Sequence, residues 1–167
     1  MASSIGRNIK REEIRNDERR RKKSKERNDP MQLKLYVAGD PVPKGSFRTF
    51  KEGGFTNANP RTKDWEMRIA HEAQEHMGDW PPDHGGPVAL EMVFYLPRPK
   101  SMRKSPSFHI KRPDLDKLAR AVLDGITSIL IHDDSQVVAI NAAKFYANEQ
   151  HPPGLIMNIG DELIFGI

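Results

Sequence analysis

The chain has 167 residues, a formal charge of +4 and no cysteine. Its length suffices for one domain with a real core, and the missing thiols exclude disulfides, thiolate zinc sites and a cysteine nucleophile. No stretch approaches the roughly 20 apolar residues of a membrane span, and Met1–Arg7 lacks the apolar segment of a signal peptide, so a soluble, cytoplasmic protein is expected.

The charge is uneven. Residues 1–31 carry 11 Lys and Arg against 6 Asp and Glu, whereas the rest carries 16 against 17. Residues 1–30 are polar and charge-dense, and read as a disordered basic arm. The domain is expected over 31–167. Leu33, Leu35 and Val37 alternate with polar neighbours, which predicts a strand at 32–38. Pro and Gly mark a loop over 39–45. Arg48–Phe50 and Gly54–Thr56 flank Glu52-Gly53 and suggest a short hairpin. Trp65, Ile69, Ala73 and Met77 form one apolar stripe of a helix over 62–77. Strict alternation of Val88, Leu90, Met92, Phe94 and Leu96 predicts a strand at 87–96.

A basic loop follows over 97–113. Arg98, Lys100, Arg103, Lys104, Lys111 and Arg112 lie in it with no acidic residue among them. Leu115, Leu118, Val122, Ile126 and Ile129 predict a helix over 115–130, then a loop at 131–135 and strands at 136–146 and 154–160. The fold class is α+β, a small mixed sheet with two main helices packed on it.

Chemistry concentrates at the two ends of the second helix. Asp114 and Asp116 flank Leu115 at its start; Asp133 and Asp134 follow its end. Hard carboxylate oxygens suit a divalent metal such as Mg²⁺, and Lys and Arg suit a phosphate backbone. A site with both reads as a metal-dependent enzyme acting on nucleic acid. Each piece also has a plainer reading. Asp114 or Asp116 could cap the helix. Asp133-Asp134 is by itself a turn signal. Asp116, Arg120 and Asp124 share one helix face, either as an ion-pair ladder or with Arg120 turned to a phosphate. His109 and His132 are open as base or ligand. A helix of about 15 residues separates its ends by about 22 Å, too far for one ion, and sequence spacing alone does not close that gap.

The run Arg112-Pro113-Asp114-Leu115-Asp116-Lys117-Leu118-Ala119-Arg120, followed by His132-Asp133-Asp134-Ser135-Gln136-Val137-Val138, resembles the RusA family of Holliday-junction resolvases. Gly39–Ser46 is similar to the opening loop of phage-borne members. The resemblance implies a homodimeric, Mg²⁺-dependent endonuclease, with Mn²⁺ able to substitute, that nicks four-way DNA junctions in a bacterial or phage-infected cell. It implies no membrane and no small-molecule cofactor. It makes Asp114, Asp116 and Asp134 metal ligands, with Asp133 auxiliary, and has acidic residues of the two subunits meeting at the junction-binding face. Arg120 and Lys144 take the role of charge stabilisers. Lys44, Arg48 and Lys117 join Arg98, Lys100, Arg103, Lys104, Lys111 and Arg112 as the DNA grip. Two positions depart from the family pattern: Lys117 stands where Asn is common, and Arg120 where Lys is. Arg keeps the charge but cannot give up a proton. The rival readings are a junction- or duplex-binding protein without catalysis and a metal-dependent flap or RNA nuclease.

Overall fold

The computed structural model describes residues 31–45, 47–49, 55–57, 61–78, 80, 85–102 and 107–161, with backbone alone for 47–49 and 55–57. Residues 1–30, and with them the expectation of a disordered arm, lie outside the described residues. In chain order the elements are β1 (Gln32–Ala38), β2 (Phe47–Thr49), β3 (Phe55–Asn57), α1 (Arg61–His76), β4 (Val88–Leu96), α2 (Leu115–Ile126), a 3₁₀ turn (Asp134–Gln136), β5 (Val137–Tyr146) and β6 (Gly154–Gly160). This is the expected α+β arrangement. β2 and β3 pair as a small separate hairpin.

The main sheet has the order β1-β6-β4-β5. β6 runs antiparallel to both β1 and β4, whereas β5 runs parallel to β4. Alternation puts Val88, Leu90, Met92, Phe94 and Leu96 on one face of β4, all buried, with Leu155, Met157 and Ile159 of β6 and Leu35 and Val37 of β1 beside them. Trp65, Ile69 and Ala73 of α1 and Leu118, Ala121, Val122 and Ile126 of α2 close the same core. Both helices therefore cover one face of the sheet.

α2 ends at Ile126, four residues earlier than its apolar pattern suggests. Thr127 donates its backbone N–H (3.0 Å) and its hydroxyl (2.8 Å) to the Leu123 carbonyl. Ser128 then turns left-handed at φ 68°. Ile129 and Leu130 continue the apolar pattern because they fill the turn beneath the helix, where the Leu130 carbonyl accepts from the Trp80 indole at 2.8 Å.

Two contacts lock α1 to α2. Gly125 is buried against α1, and a Cβ there would stand 3.0 Å from Ile69 Cβ and Cγ2 and 3.1 Å from the Glu66 carbonyl. Beside it the Lys44 ammonium lies between the helices, 2.8 Å from Glu66 Oε1 and in contact with the Asp124 carboxylate. Burial alone would lower the Lys44 pKa; hydrogen bonds and charge from Asp124 and Glu66 outweigh it and raise it above the ordinary lysine value. With the folded pKa raised, this contribution is full at neutral pH and is lost only as the pH climbs past the lysine range.

Gly125→Ala should therefore destabilise the fold despite alanine's helix propensity. Propensity gains about 1 kcal/mol against about 1–3 kcal/mol of overpacking, leaving about 1 kcal/mol of loss in a urea melt. Lys44→Met should cost about 1–2 kcal/mol, since it leaves two half-exposed carboxylates facing each other without their cation. Adding Asp124→Asn to that variant should recover part of the loss.

Candidate active site

Parallel strands cannot be joined by a tight turn, so the chain crosses from the end of β4 to the start of β5 through α2. α2 thus runs opposite to β5. Asp114 and Asp116 stand where β5 ends, and Asp134 stands where β5 begins. The 12 residues of α2 span roughly 18 Å at 1.5 Å per residue. Accordingly, no group of three or more His, Asp or Glu among the described residues is placed to hold a metal ion. A single chain does not bring Asp134 to Asp114 and Asp116.

Asp114 occupies the N-cap position of α2 with extended backbone, yet its side chain makes no capping hydrogen bond. One of its oxygens lies 3.2 Å from the Lys117 ammonium. Asp116 is exposed, and its carboxylate bonds no other described residue. Arg120 is exposed and equally without a described partner, so the ladder with Asp116 and Asp124 does not form; Asp124 is held by Lys44 instead.

The second acidic motif divides its labour. Asp133 Oδ1 accepts from the Ser135 N–H at 2.9 Å, capping the 3₁₀ turn. The hydrogen bonds from Ser135 hold its carboxyl below the usual aspartate range. Gln136 Oε1 accepts from the His132 and Asp133 N–H groups at 2.7 and 3.2 Å, while its amide donates to the Gly86 carbonyl at 3.0 Å. Asp133 is thereby engaged through Oδ1 as the cap of this turn. Asp134, next to it, is exposed and its carboxylate is unbonded among the described residues.

Lys144 also differs from expectation. Its ammonium donates to the Lys111 carbonyl at 2.8 Å and the Pro113 carbonyl at 2.6 Å. It fastens the chain entering α2 instead of facing solvent as a free charge. Ser107–His109 lie along the edge of β5: the His109 N–H donates to the Lys144 carbonyl (3.1 Å) and the Tyr146 N–H to the Ser107 carbonyl (2.8 Å). The His109 ring packs on Tyr146 at 4.5 Å and is buried. Burial first, and then the charge of Lys144, push its pKa below the usual imidazole value. That position suits packing, not proton transfer with a substrate in solvent.

A cleft of about 600 Å³ opens beside Asp114, walled by residues 40–45, Arg61, Arg112, Pro113 and Lys117. Among the expected DNA-gripping residues, Lys100, Lys111 and Arg112 are exposed. Lys117 is half-buried against Asp114. Arg98 lies over the Tyr146 ring at 4.6 Å, and Lys44 is engaged between the helices. Arg103, Lys104 and the Arg48 side chain lie outside the described residues. The cleft adds Arg61, 3.7 Å from Asp40, which no local motif marks, because Arg61 opens α1 and reaches this wall only through the fold.

A protein of Bacillus subtilis (strain 168), "Uncharacterized protein YqaN", is 28% identical over 139 residues, covering 76% of this chain and 96% of the relative. No helix among the described residues is long and apolar enough to cross a membrane. The family model for endodeoxyribonuclease RusA matches residues 38–159, which span the loop below the cleft, α1, α2, both acidic motifs and nearly all of β6. The chain belongs to the RusA endodeoxyribonuclease family, whose members act on branched DNA junctions.

Proposed function

We propose that this protein resolves four-way DNA junctions by paired, Mg²⁺-dependent nicks, and that each active site is shared between two copies of the chain. The observation that carries the reading is selective freedom among the carboxylates. Asp124 is paired and Asp133 is a cap, while Asp116 and Asp134 stand exposed and unbonded among the described residues, and Asp114, half-exposed, lines the basic cleft. These hard oxygens fit a magnesium ion, but only when Asp134 comes from elsewhere.

β5 supplies the means. It is an edge strand. Lys144 and Tyr146 bond outward to 107–109, so by alternation the groups of Ile140 and Ala142 point the same way, up to the bulge at Val138, where β5 carries one residue more than β4. Among the described residues nothing pairs with them, and Val138 and Ile140 are 63% and 46% exposed. An open apolar edge is a template for another strand. Antiparallel pairing with a second β5 about a two-fold axis near Ile140 sets Val138 opposite Ala142 of the partner subunit. The same register carries the partner's Asp134 toward Tyr146 and Lys144, and Lys144 touches the residue before Asp114. Two such sites, related by the two-fold, suit the near two-fold symmetry of a junction.

In the reaction, water adds to phosphorus and one P–O ester bond breaks. Bound Mg²⁺ supplies acidification of water and charge stabilisation on the phosphoryl oxygens. Asp114 and Asp116 with the partner's Asp134 would hold it. Arg112 and Lys117 orient the strand through its phosphates, which fixes register without reading sequence. Arg120, one turn past Asp116, offsets charge as the transition state forms.

Complementation tests the shared site. Asp116→Asn and Asp134→Asn should each abolish nicking of a synthetic junction while leaving binding in chelator intact. Mixing the two inactive variants should restore nicking, because one of the two sites in a mixed dimer then has all three carboxylates. No recovery on mixing, or a monomer by light scattering with and without junction DNA, overturns the shared site. Flap, duplex and RNA substrates beside the junction test the specificity. Separately, Arg120→Ala should lose roughly 10²–10³ in single-turnover rate at saturating Mg²⁺, while Arg120→Lys retains most of it.

A further inference from the structure

We infer that Lys144 is a positioning residue, a clamp that holds the segment Lys111–Asp114 so that Arg112 and Asp114 are presented together at the site. The inference rests on the endonuclease reading for its consequence, but its structural part stands apart from it.

Residue 144 binds the basic loop at two levels. Its carbonyl accepts from His109. Its ammonium, half-buried on the helix side of β5, reaches the carbonyls of Lys111 and Pro113, on either side of Arg112. An ammonium has three donors and no acceptor, so two carbonyls within 2.8 Å take two of them. Charged donors of this kind make the shorter and stronger hydrogen bonds. Fixing the carbonyls flanking Arg112 fixes the backbone from which that side chain enters the cleft. Fixing Pro113 also fixes the approach to Asp114, whose carbonyl begins α2 by accepting from the Leu118 N–H at 3.2 Å. A lysine acting on the phosphate as a charge needs its ammonium turned outward; this one is turned to the backbone. Misplacing reactive groups by about 1 Å can cost about 100-fold in rate, which gives the clamp its importance although it touches no substrate.

The cysteine-free chain offers a clean test. Lys144→Cys places one thiol in the protein. Aminoethylation of that thiol rebuilds an ammonium at lysine's reach, and carbamidomethylation places a neutral NH₂ donor at the same reach. In the full-length, metal-free, DNA-free protein, hydrogen exchange at the His109 and Leu118 amides should rise at least about tenfold in Lys144→Cys, with the β4 amides unchanged. Aminoethylation should reverse it, and carbamidomethylation should reverse most of it. Junction nicking should follow the same order, with kcat falling 10–100-fold and the larger part of the loss in kcat rather than in junction affinity measured in chelator. Wild-type exchange at both amides in Lys144→Cys overturns the clamp. So does recovery of nicking by the ammonium alone with no change in exchange, the pattern of a free charge. If Lys144→Cys does not fold, Lys144→Gln carries the same exchange measurement with a donor one bond short, and unchanged exchange there overturns the inference as well. A wild-type protein that cuts no DNA overturns the endonuclease reading and leaves the exchange result to be judged by itself.

Discussion

Two parallel strands must be joined by a crossover, and the one between β4 and β5 decides where every acidic side chain of the site stands. The crossover is α2. Its first residues lie where β5 ends and its last lie near where β5 starts, so the two acidic motifs are held apart by the length of the helix. The separation is rigid. Gly125 seats α2 against Ile69, and Lys44 ties it to α1 through Asp124 and Glu66. No loop motion short of unpacking the core brings Asp134 to Asp116 in one chain. The geometry that makes the fold stable also keeps the two acidic motifs of one chain apart, and the proposed pairing at the open edge of β5 answers that separation.

Charge is distributed with the same economy. A solvated carboxylate costs little, and a buried or unpaired one costs more. The acids that settle the fold are engaged: Asp124 with Lys44, Asp133 with Ser135, and Asp161, which accepts from the Met31 N–H at 2.8 Å. Those that remain free are solvated. Cations follow the pattern, since Lys44 and Lys144 are used internally while Lys100, Lys111, Arg112 and Arg120 stay outside. Family membership thus sits on a scaffold whose internal pairing leaves one set of charges available.

Much of this was legible in the chain, for local reasons. Period-two alternation in β1 and β4 and the four-residue apolar spacing in α1 are strong signals, and the strands and helices fall within a residue or two of where they point. The end of α2 was not legible, because Ile129 and Leu130 serve a buried turn with the same residue types that extend a helix. Asp133 and Asp134 are identical in sequence and opposite in use; the difference lies in Ser135 and Gln136, which draw one carboxylate inward and leave the next outside. Lys144 reads as a free cation by its place after the motif. Only the fold, by returning β5 beside the entry to α2, shows its ammonium on two carbonyls. Arg61 and Asp40 reach the cleft from elements far from the motifs, and nothing local announces them.

The basic loop has a further consequence for the proposed pairing. A one-residue slip of a strand moves all its side chains to the opposite face, and a bare edge tolerates such slips. Here Ser107–His109 already occupy β5 at Lys144 and Tyr146, leaving Val138–Ala142 open. A partner strand centred on Ile140 fills that opening and stops where the loop begins, just where the partner's own strand gives way to the 3₁₀ turn bearing its Asp134. Sliding further along meets Phe108, stacked on Phe145 at 4.9 Å. The basic segment thus also limits the register of that pairing, and Lys144 holds the segment. In the proposed dimer, metal affinity would depend on dimer formation by mass action: a lone chain presents two or fewer carboxylates to an ion, and cutting would need the second copy that a two-fold substrate matches.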